Sequence, residues 1–325
     1  MSVPNNFSYT VAPRESGLRL DVFLLSRLRV EFPERTFFRS EVIYCLREGE
    51  VLISGKKSKP SSIVKFEDIV SGEWKEKEIA VQSKKSSFRL EPTILFENEQ
   101  FRVLDKPAGL QVHPSEKNEP YTLLSWLQYT FPAESVLLGE ECRFGIVHRL
   151  DKETSGLILV AKNKHAWESL KELFHDRKIE KMYYALVFGH FSQKKGNIEK
   201  DIMTVEHSLK RRVASVHDSS KKRVAKTDYE VEKRFRDFDL VKVFPKTGRT
   251  HQIRVHFLSM GHPIVGDALY GHRLTKKLVL ENKAPKRHLL HATRLSFSCF
   301  GEEYSFESPL PDDFVTYLES LNSLG

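Results

Sequence analysis

GIVHRLDKETSGLILVAK, residues 145–162, runs from a basic loop through an acid into a continuous apolar segment. An unbroken run of Leu, Ile and Val bounded by Gly reads as a short strand buried on both faces. Asp151 stands just before that strand, ahead of Thr154, Ser155 and Gly156. Two readings stay open on the local sequence. An Asx side chain turns the chain by bonding nearby backbone N–H groups. Alternatively, a carboxylate shown at the end of a buried strand is there for chemistry.

Outward from this stretch, KHAWESLKELFHDRKI (164–179) places Trp167, Leu170 and Phe174 on one helical face, and MYYALVFG (182–189) reads as a strand. Strands and helices mix without a regular repeat, which predicts an α+β sheet domain, mainly antiparallel with flanking helices, rather than a doubly wound one. A second charged segment, TGRTHQIRVHFLSMGHP (247–263), gathers Arg249, Gln252, Arg254 and His256. Ile253, Val255 and Phe257 alternate as in a strand, but Thr250 resembles an N-cap and Gly261 with Pro263 a stop. The end signals favour a helix. Arg254 beside a carboxylate would hold it ionised, fit to act as a nucleophile or electrostatic stabiliser rather than as an acid.

The totals narrow the field. The 325 residues suffice for two domains at roughly 100–200 residues each. Lys and Arg number 52 against 44 Asp and Glu, a net charge of +8 that favours a polyanionic partner such as RNA. The three cysteines, Cys45, Cys142 and Cys299, form no CxxC pair and fit a reducing compartment. The N-terminal segment lacks the charged start and apolar core of a signal peptide, and no run approaches the ~18 apolar residues of a membrane span. A cytoplasmic location without a membrane partner is expected. Gly49 and Gly55 lie too far apart for a phosphate-cradling loop before Lys56, and neither GxGxxG nor HExxH occurs. The histidines His113, His148, His251, His256, His262, His288 and His291 lack ligand spacing, so no metal or cofactor is expected.

The chain divides by pattern into a tail (1–16), a compact unit (17–74), a charged, serine-bearing linker (75–90) and a larger domain (91–325). LRLDVFLLSRLRV (18–30) puts Leu20, Phe23, Leu24 and Leu28 on one helical face. SEVIYCLREG (40–49) does the same with Val42, Cys45 and Leu46, between Ser40 as N-cap and Gly49 as stop. The strand VLISG follows. This order, with RLD opening the first helix and REGEVLISGKKSKPS after the second, resembles the S-four-type RNA-binding domain. The resemblance implies that Arg39, Arg47 and Lys56 or Lys57 meet phosphates. Within LKRRVASVHDSSKKRVAKTDYEV (209–231), two basic clusters flank a Ser and Asp turn, a pattern for a protruding hairpin with Lys210, Arg211, Arg212, Lys221, Lys222 and Arg223 near its tip.

The larger domain resembles the RluA-type RNA pseudouridine synthases. Residues 145–162 follow that family's central motif, and DKPAGLQVHPS (105–115), KMYYALVFG (181–189) and TGRTHQIRVHFLSMGHPIVGDALYG (247–271) agree in order. The resemblance implies a pseudouridine synthase fold and isomerisation of uridine in RNA without cofactor or metal. It makes Asp151 the catalytic aspartate, by attack on the sugar or ring or by elimination to a glycal. It makes Tyr183, rather than Tyr184, the tyrosine against the target base that helps remove the C5 proton, and Arg254 the partner of the aspartate. Arg149 would enter the RNA stack where the uridine leaves, because a stacked base must be extruded before its glycosidic bond can be reached. His113 and His148 would shape the pocket or support its backbone, without proton transfer, and Arg249 and Gln252 would bind substrate.

Three positions depart from the family pattern: Glu153 at an expected solvent-facing turn, Lys246 where an apolar residue is more typical, and HATRLSFSCFGEE (291–303), which lacks a His-Pro pair. Large-subunit ribosomal RNA is the expected target and transfer RNA the runner-up, with no obligate protein partner evident. A catalytically silent RNA-binding assembly factor and a cysteine hydrolase built on Cys142 and His148 are the rival readings.

Overall fold

A computed structural model describes residues 6–32, 37, 42, 43, 45, 46, 51–74, 90–114, 121–204, 211–213, 222–281 and 283–322. The chain divides into two compact units, Met1–Ser87 with Gly139–Glu141, and Phe88–Leu138 with Cys142–Gly325.

In the first unit, α1 (Leu20–Glu31) carries Leu20, Phe23, Leu24 and Leu28 fully buried, the face its periodicity predicts. Val42, Cys45 and Leu46 join the same core. Strands β1 (Asn6–Thr10), β2 (Leu52–Ile53), β3 (Lys56–Lys57) and β4 (Ile69–Glu73) form an antiparallel sheet ordered β1-β4-β2-β3, which leaves Lys56 and Lys57 exposed. Ser40, Arg39, Arg47 and Gly49, and nearly all of the expected linker, lie outside the described residues.

The second unit is built on nine strands. They are β5 (Thr93–Glu97), β6 (Phe101–Lys106), β7 (Ser155–Ala161), β8 (Glu180–Phe188), β9 (Lys195–Glu199), β12 (Lys226–Arg234), β13 (Phe238–Pro245), β14 (Leu290–Cys299) and β15 (Glu302–Glu307). Their order is β5-β6-β7-β14-β8-β13-β12-β9, with β15 also on β14. Among the described strands the only parallel ladder is β7 with β14. A small separate ladder joins β10 (Ile202–Thr204) to β11 (Arg211–Val213), the root of the basic segment. Lys210 and Lys221 lie outside the described residues.

Every residue of β7 is buried, as its unbroken apolar run requires. Leu157, Leu159 and Ala161 pack on one face with Ala166 and Leu170 of α4 (Lys164–His175). Ile158 and Val160 pack on the other with Leu123, Trp126 and Leu127 of α2 (Leu123–Thr130), which precedes α3 (Pro132–Leu138). β8 alternates in the same way: Ala185 and Val187 meet α5 (Gln252–Ser259), while Leu186 meets Phe314 of α7 (Asp312–Asn322) and Leu278 of α6 (His272–Leu280).

The strand-like alternation in 253–257 has a physical cause. α5 is covered on all sides, with Gln252 through Phe257 all buried, so no polar face marks the helical period. Its start differs from the sequence expectation. The N-cap is His251, in a left-handed conformation (φ 58°), and not Thr250. Gln252 stitches this end: its Oε1 accepts from the Arg249 backbone N–H at 3.0 Å and from Thr247 Oγ1 at 2.6 Å. Lys246 is exposed at the end of β13, paired with Asp228 at 3.4 Å, so its charge costs the sheet edge no burial.

Candidate active site

β14 brings the site together. It runs between β7 and β8, and its first residues pair His291 with Ser155, Ala292 with Gly156 and Ala292 with Tyr183. The turn before β7 and the middle of β8 are thereby one strand apart. Gly156 permits this approach: its φ is +109°, and a Cβ there would lie 2.2 Å from the Ala292 carbonyl oxygen. Only glycine fits such a position without strain.

Asp151 opens into a cleft of about 870 Å³ lined also by Arg149, Lys181, Tyr183, Arg249, His251 and Arg254. Arg254 Nη1 donates to Asp151 Oδ2 at 2.9 Å. The other edge of the same guanidinium donates to Asp267, Nε to Oδ2 at 2.7 Å and Nη2 to Oδ1 at 3.0 Å. Asp267 is fully buried and also accepts from the backbone N–H groups of Leu269 and Tyr270. This fork fixes both position and orientation of the cation. Burial pushes the Asp151 carboxyl up, but the charges of His251, Arg254 and His288 and the Arg254 hydrogen bond outweigh it, so its pKa lies below the ordinary carboxylate value. His288 is itself driven down to about 3 by burial, and burial also lowers His251, so Arg254 supplies the standing charge at neutral pH.

The turn bearing Asp151 is held from below. Lys106, fully buried, donates from Nζ to the carbonyls of Pro107, Leu110 and Lys152 at 2.9, 2.8 and 3.1 Å. Burial lowers it to about 7. Arg287 donates to the Glu153 carbonyl at 3.1 Å and Ser155 Oγ at 3.2 Å, and is itself gripped by Asp313 at 2.6 and 3.0 Å. Thr154 Oγ1 shares a hydrogen bond with His288 Nε2 at 2.8 Å. Glu153 is thus half-buried in a bonded turn and does not simply face solvent.

Tyr183 lies in the cleft, whereas Tyr184 packs in the core on the opposite face of β8. Burial, together with the Asp151 charge, raises the Tyr183 phenol above its ordinary value, so it keeps its proton and is poorly suited to take one from C5. Arg149 is exposed at the rim and makes no ion pair among the described residues. Arg249 lines the cleft with its Nε donating to the Val224 carbonyl at 3.1 Å.

Three other expected residues act mainly as supports: Gln252 and His148 line the cleft but spend their polar atoms on the protein, and His113 lies outside the lining. Gln252 is 4% exposed, and its amide nitrogen donates to the Lys226 carbonyl and Thr227 Oγ1, so both ends are engaged within the protein. It positions the loop. His148 accepts the Leu159 N–H through Nε2 at 2.8 Å and stacks on Phe174. Burial drives it down to about 3, which makes it a neutral support for β7. His113 is half-buried outside the cleft lining, lowered to about 4 by burial and the neighbouring Arg149 and Arg143 charges. Cys142 is buried and does not line the cleft. Among the described residues no cluster of His, Cys, Asp and Glu could hold a metal ion, and no helix is long and apolar enough to cross a membrane.

Comparison with known proteins gives this geometry a family. Residues 100–259 match the model of the RNA pseudouridylate synthases. The chain is 35% identical over 306 residues to the ribosomal large subunit pseudouridine synthase D of Pseudomonas aeruginosa, covering 89% of each. The chain belongs to the RNA pseudouridylate synthase family. It is an RNA pseudouridine synthase, an isomerase, with that family's fold. It is also 34% identical to the RNA pseudouridine synthase YlyB of Bacillus subtilis, over 99% of this chain and all of that one. Among solved structures, human RNA pseudouridylate synthase domain containing 4 superposes with a TM-score of 0.57 at 29% identity, over 70% of this chain and 92% of that one. The Asp151 turn, β8 and α5 of this synthase all fall within the matched residues.

Proposed function

We propose that this synthase isomerises uridine in large-subunit ribosomal RNA, with Asp151 as the group that acts on the flipped nucleotide. The observation that carries the reading is the 2.9 Å pair of Asp151 and Arg254 at the wall of an open cleft, with Arg254 locked from behind by Asp267. A carboxylate held ionised in that way is a ready nucleophile or proton acceptor, and it needs no metal to act. The ribosomal target is supported by the names of relatives that match most of the chain.

Extruding a stacked uridine costs a few kcal/mol. Arg149, exposed beside Asp151 and without an ion pair among the described residues, is placed to occupy the vacated space with its planar guanidinium. Tyr183 offers a protonated ring for the base to lie on while it is detached, turned and rejoined through C5. The first unit, with Lys56 and Lys57 exposed, serves as an RNA-binding module on the same chain, raising the local concentration of RNA for the second.

Carbodiimide-based mapping of pseudouridine in total RNA tests the reading. Deleting the gene should remove modification at discrete uridines of large-subunit ribosomal RNA, and wild type but not Asp151→Asn should restore it. Loss confined to transfer RNA would refute the ribosomal target. No change at any position, with the protein expressed, would leave an RNA-binding scaffold as the better account.

A further inference from the structure

On either route through the sugar, one unit of negative charge must move. Breaking the C1′–N1 bond leaves its electron pair on the uracil ring, shared among N1, O2 and O4. If Asp151 bonds to C1′, its charge is consumed in the ester. If it takes the C2′ proton, its charge is consumed in the acid. In both cases the carboxylate becomes neutral and the ring becomes the anion. The charge returns to Asp151 when C5 bonds to C1′, as the ester opens or the acid gives its proton back to C2′. The C5 proton is then lost to water while N1 takes one up, so the product is an isomer and no co-reactant is needed. Arg254, forked onto Asp267, stays at the carboxylate end.

Lys181 is a cation inside the cleft with no carboxylate partner among the described residues. It lies two residues before Tyr183 on β8, so the two side chains leave the same face of the strand, about 7 Å apart along it. Both line the cleft with Asp151. Arg143, Arg149, Arg177 and Lys246 also line it but are exposed, and half-buried Arg249 donates to the Val224 carbonyl, whereas Lys181 is half-buried. Among the described residues Lys181 has no hydrogen bond or ion pair through its side chain. Burial lowers its pKa to about 8, and its charge contributes to the depression of His148. A desolvated ammonium with no protein partner is costly, and an incoming anion removes that cost.

We propose that Lys181 receives the uracil ring as it leaves the ribose, holding the negative charge on a ring oxygen while the base turns against Tyr183. Lys181 then acts in the transition state more than in binding, because the ring becomes anionic only as the bond breaks. The assignment rests on uridine isomerisation with Asp151 as the acting carboxylate.

RNA from gene-deleted cells grown on uridine tritiated at C5, separated into large-subunit ribosomal and transfer fractions, tests it by tritium release in single turnovers. Lys181→Met should slow release at saturating RNA by about 100-fold, the loss typical of one preorganised charge-stabilising donor. The half-saturating RNA concentration should stay the same, and Lys181→Arg should recover part of the rate. An unchanged saturating rate in Lys181→Met overturns the proposal. So does a defect seen only in RNA affinity with a shallower salt dependence, which marks a phosphate contact instead. If Lys181→Met does not fold, Lys181→Gln and Lys181→Arg decide: equal rates for these two overturn the proposal. Wild-type release from the transfer fraction alone refutes the ribosomal target but still allows Lys181 to be tested there.

Discussion

The two walls of the cleft differ in how their charges are satisfied. On the wall built by the Asp151 turn and α5, each charged group has partners: Asp151 with Arg254, Arg254 with Asp267, Asp267 with two backbone N–H groups, Arg287 with Asp313. On the wall and rim formed by Arg143, Arg149, Arg177 and Lys181, no side-chain ion pair is made among the described residues. The first wall is complete before substrate arrives and can act without reorganisation. The second has no protein partners among the described residues, and on the proposed reading RNA supplies them. Groups with protein partners are thus fixed in advance, whereas those without are left for the substrate, Lys181 for the departing ring and the exposed arginines for the backbone and stack.

That division breaks if the preorganised wall does not carry the largest share of the rate. The largest effect is expected for Asp151→Asn, which should lower pseudouridine formation by at least ~10⁴-fold in single turnovers, as loss of an acting nucleophile does. Its RNA affinity in a filter-binding titration should stay near wild type. A large loss of affinity would place Asp151 in recognition instead. Asp267→Asn comes next, because it leaves Arg254 buried with half its partners. Removing one member of a buried pair costs about 3–5 kcal/mol, readable as a fall in urea midpoint, and the rate should fall with it. An unchanged midpoint would show that the fork onto Asp267 contributes little.

Gly156→Ala sharpens the comparison from the backbone side. The added carbon meets the Ala292 carbonyl and a φ of +109°. A destabilisation of about 1–3 kcal/mol is expected, with turnover reduced more than RNA affinity because the Asp151 turn shifts from Tyr183. Wild-type turnover in this variant would mean that the β7–β14 contact does not set the site.

Acid should act in two stages, first on the buried histidines and then on the paired carboxylates. His148 and His288 are neutral in the fold, with values near 3, whereas an unfolded histidine takes up a proton near pH 6.5. The unfolded chain therefore binds more protons as pH falls from 6.5 towards 3, and stability drops by up to ~1.4 kcal/mol per pH unit for each. Asp151 and Asp267 act at lower pH: their folded values are depressed, so their contribution persists above the unfolded carboxylate value near 3.9 and is lost only as pH falls below it. Urea midpoints that stay flat between pH 7 and 5 would contradict the buried, neutral histidines. The smallest expected effect is for Arg149→Ala, a few-fold loss on structured RNA and less on a short single strand, since only the former has a stack to fill. Equal losses on both would mean a plain phosphate contact.

Much of this was legible in the sequence because period and chemistry coincide there. The apolar run of β7 and the face of α1 follow directly from residue spacing, and Asp151, Tyr183 and Arg254 stand in short ordered motifs. What stayed hidden depends on groups distant in the chain. Asp267 lies thirteen residues beyond Arg254 in the same motif, but nothing in the spacing shows that its carboxylate grips that arginine. Lys106 looks like any surface lysine until Pro107, Leu110 and Lys152 are seen to offer it three carbonyls. Gln252 reads as a ligand because a polar residue next to a basic motif gives no sign of being used up internally. The left-handed His251 was missed because a Thr one residue earlier carries the commoner capping signal.

The clasp between Arg287 and Asp313 bears on when the enzyme matures. Asp313 sits at the start of α7 and grips the arginine that holds the Glu153 carbonyl. A ribosome threads the chain out from its N-terminal end, so the Asp151 turn emerges long before its clasp does. We predict that a nascent chain stopped before Asp312 leaves that turn only partly secured, and that full turnover arrives with the last helix. Chains halted at 311 and at 322, assayed side by side for turnover, would show it, and equal activity would refute it.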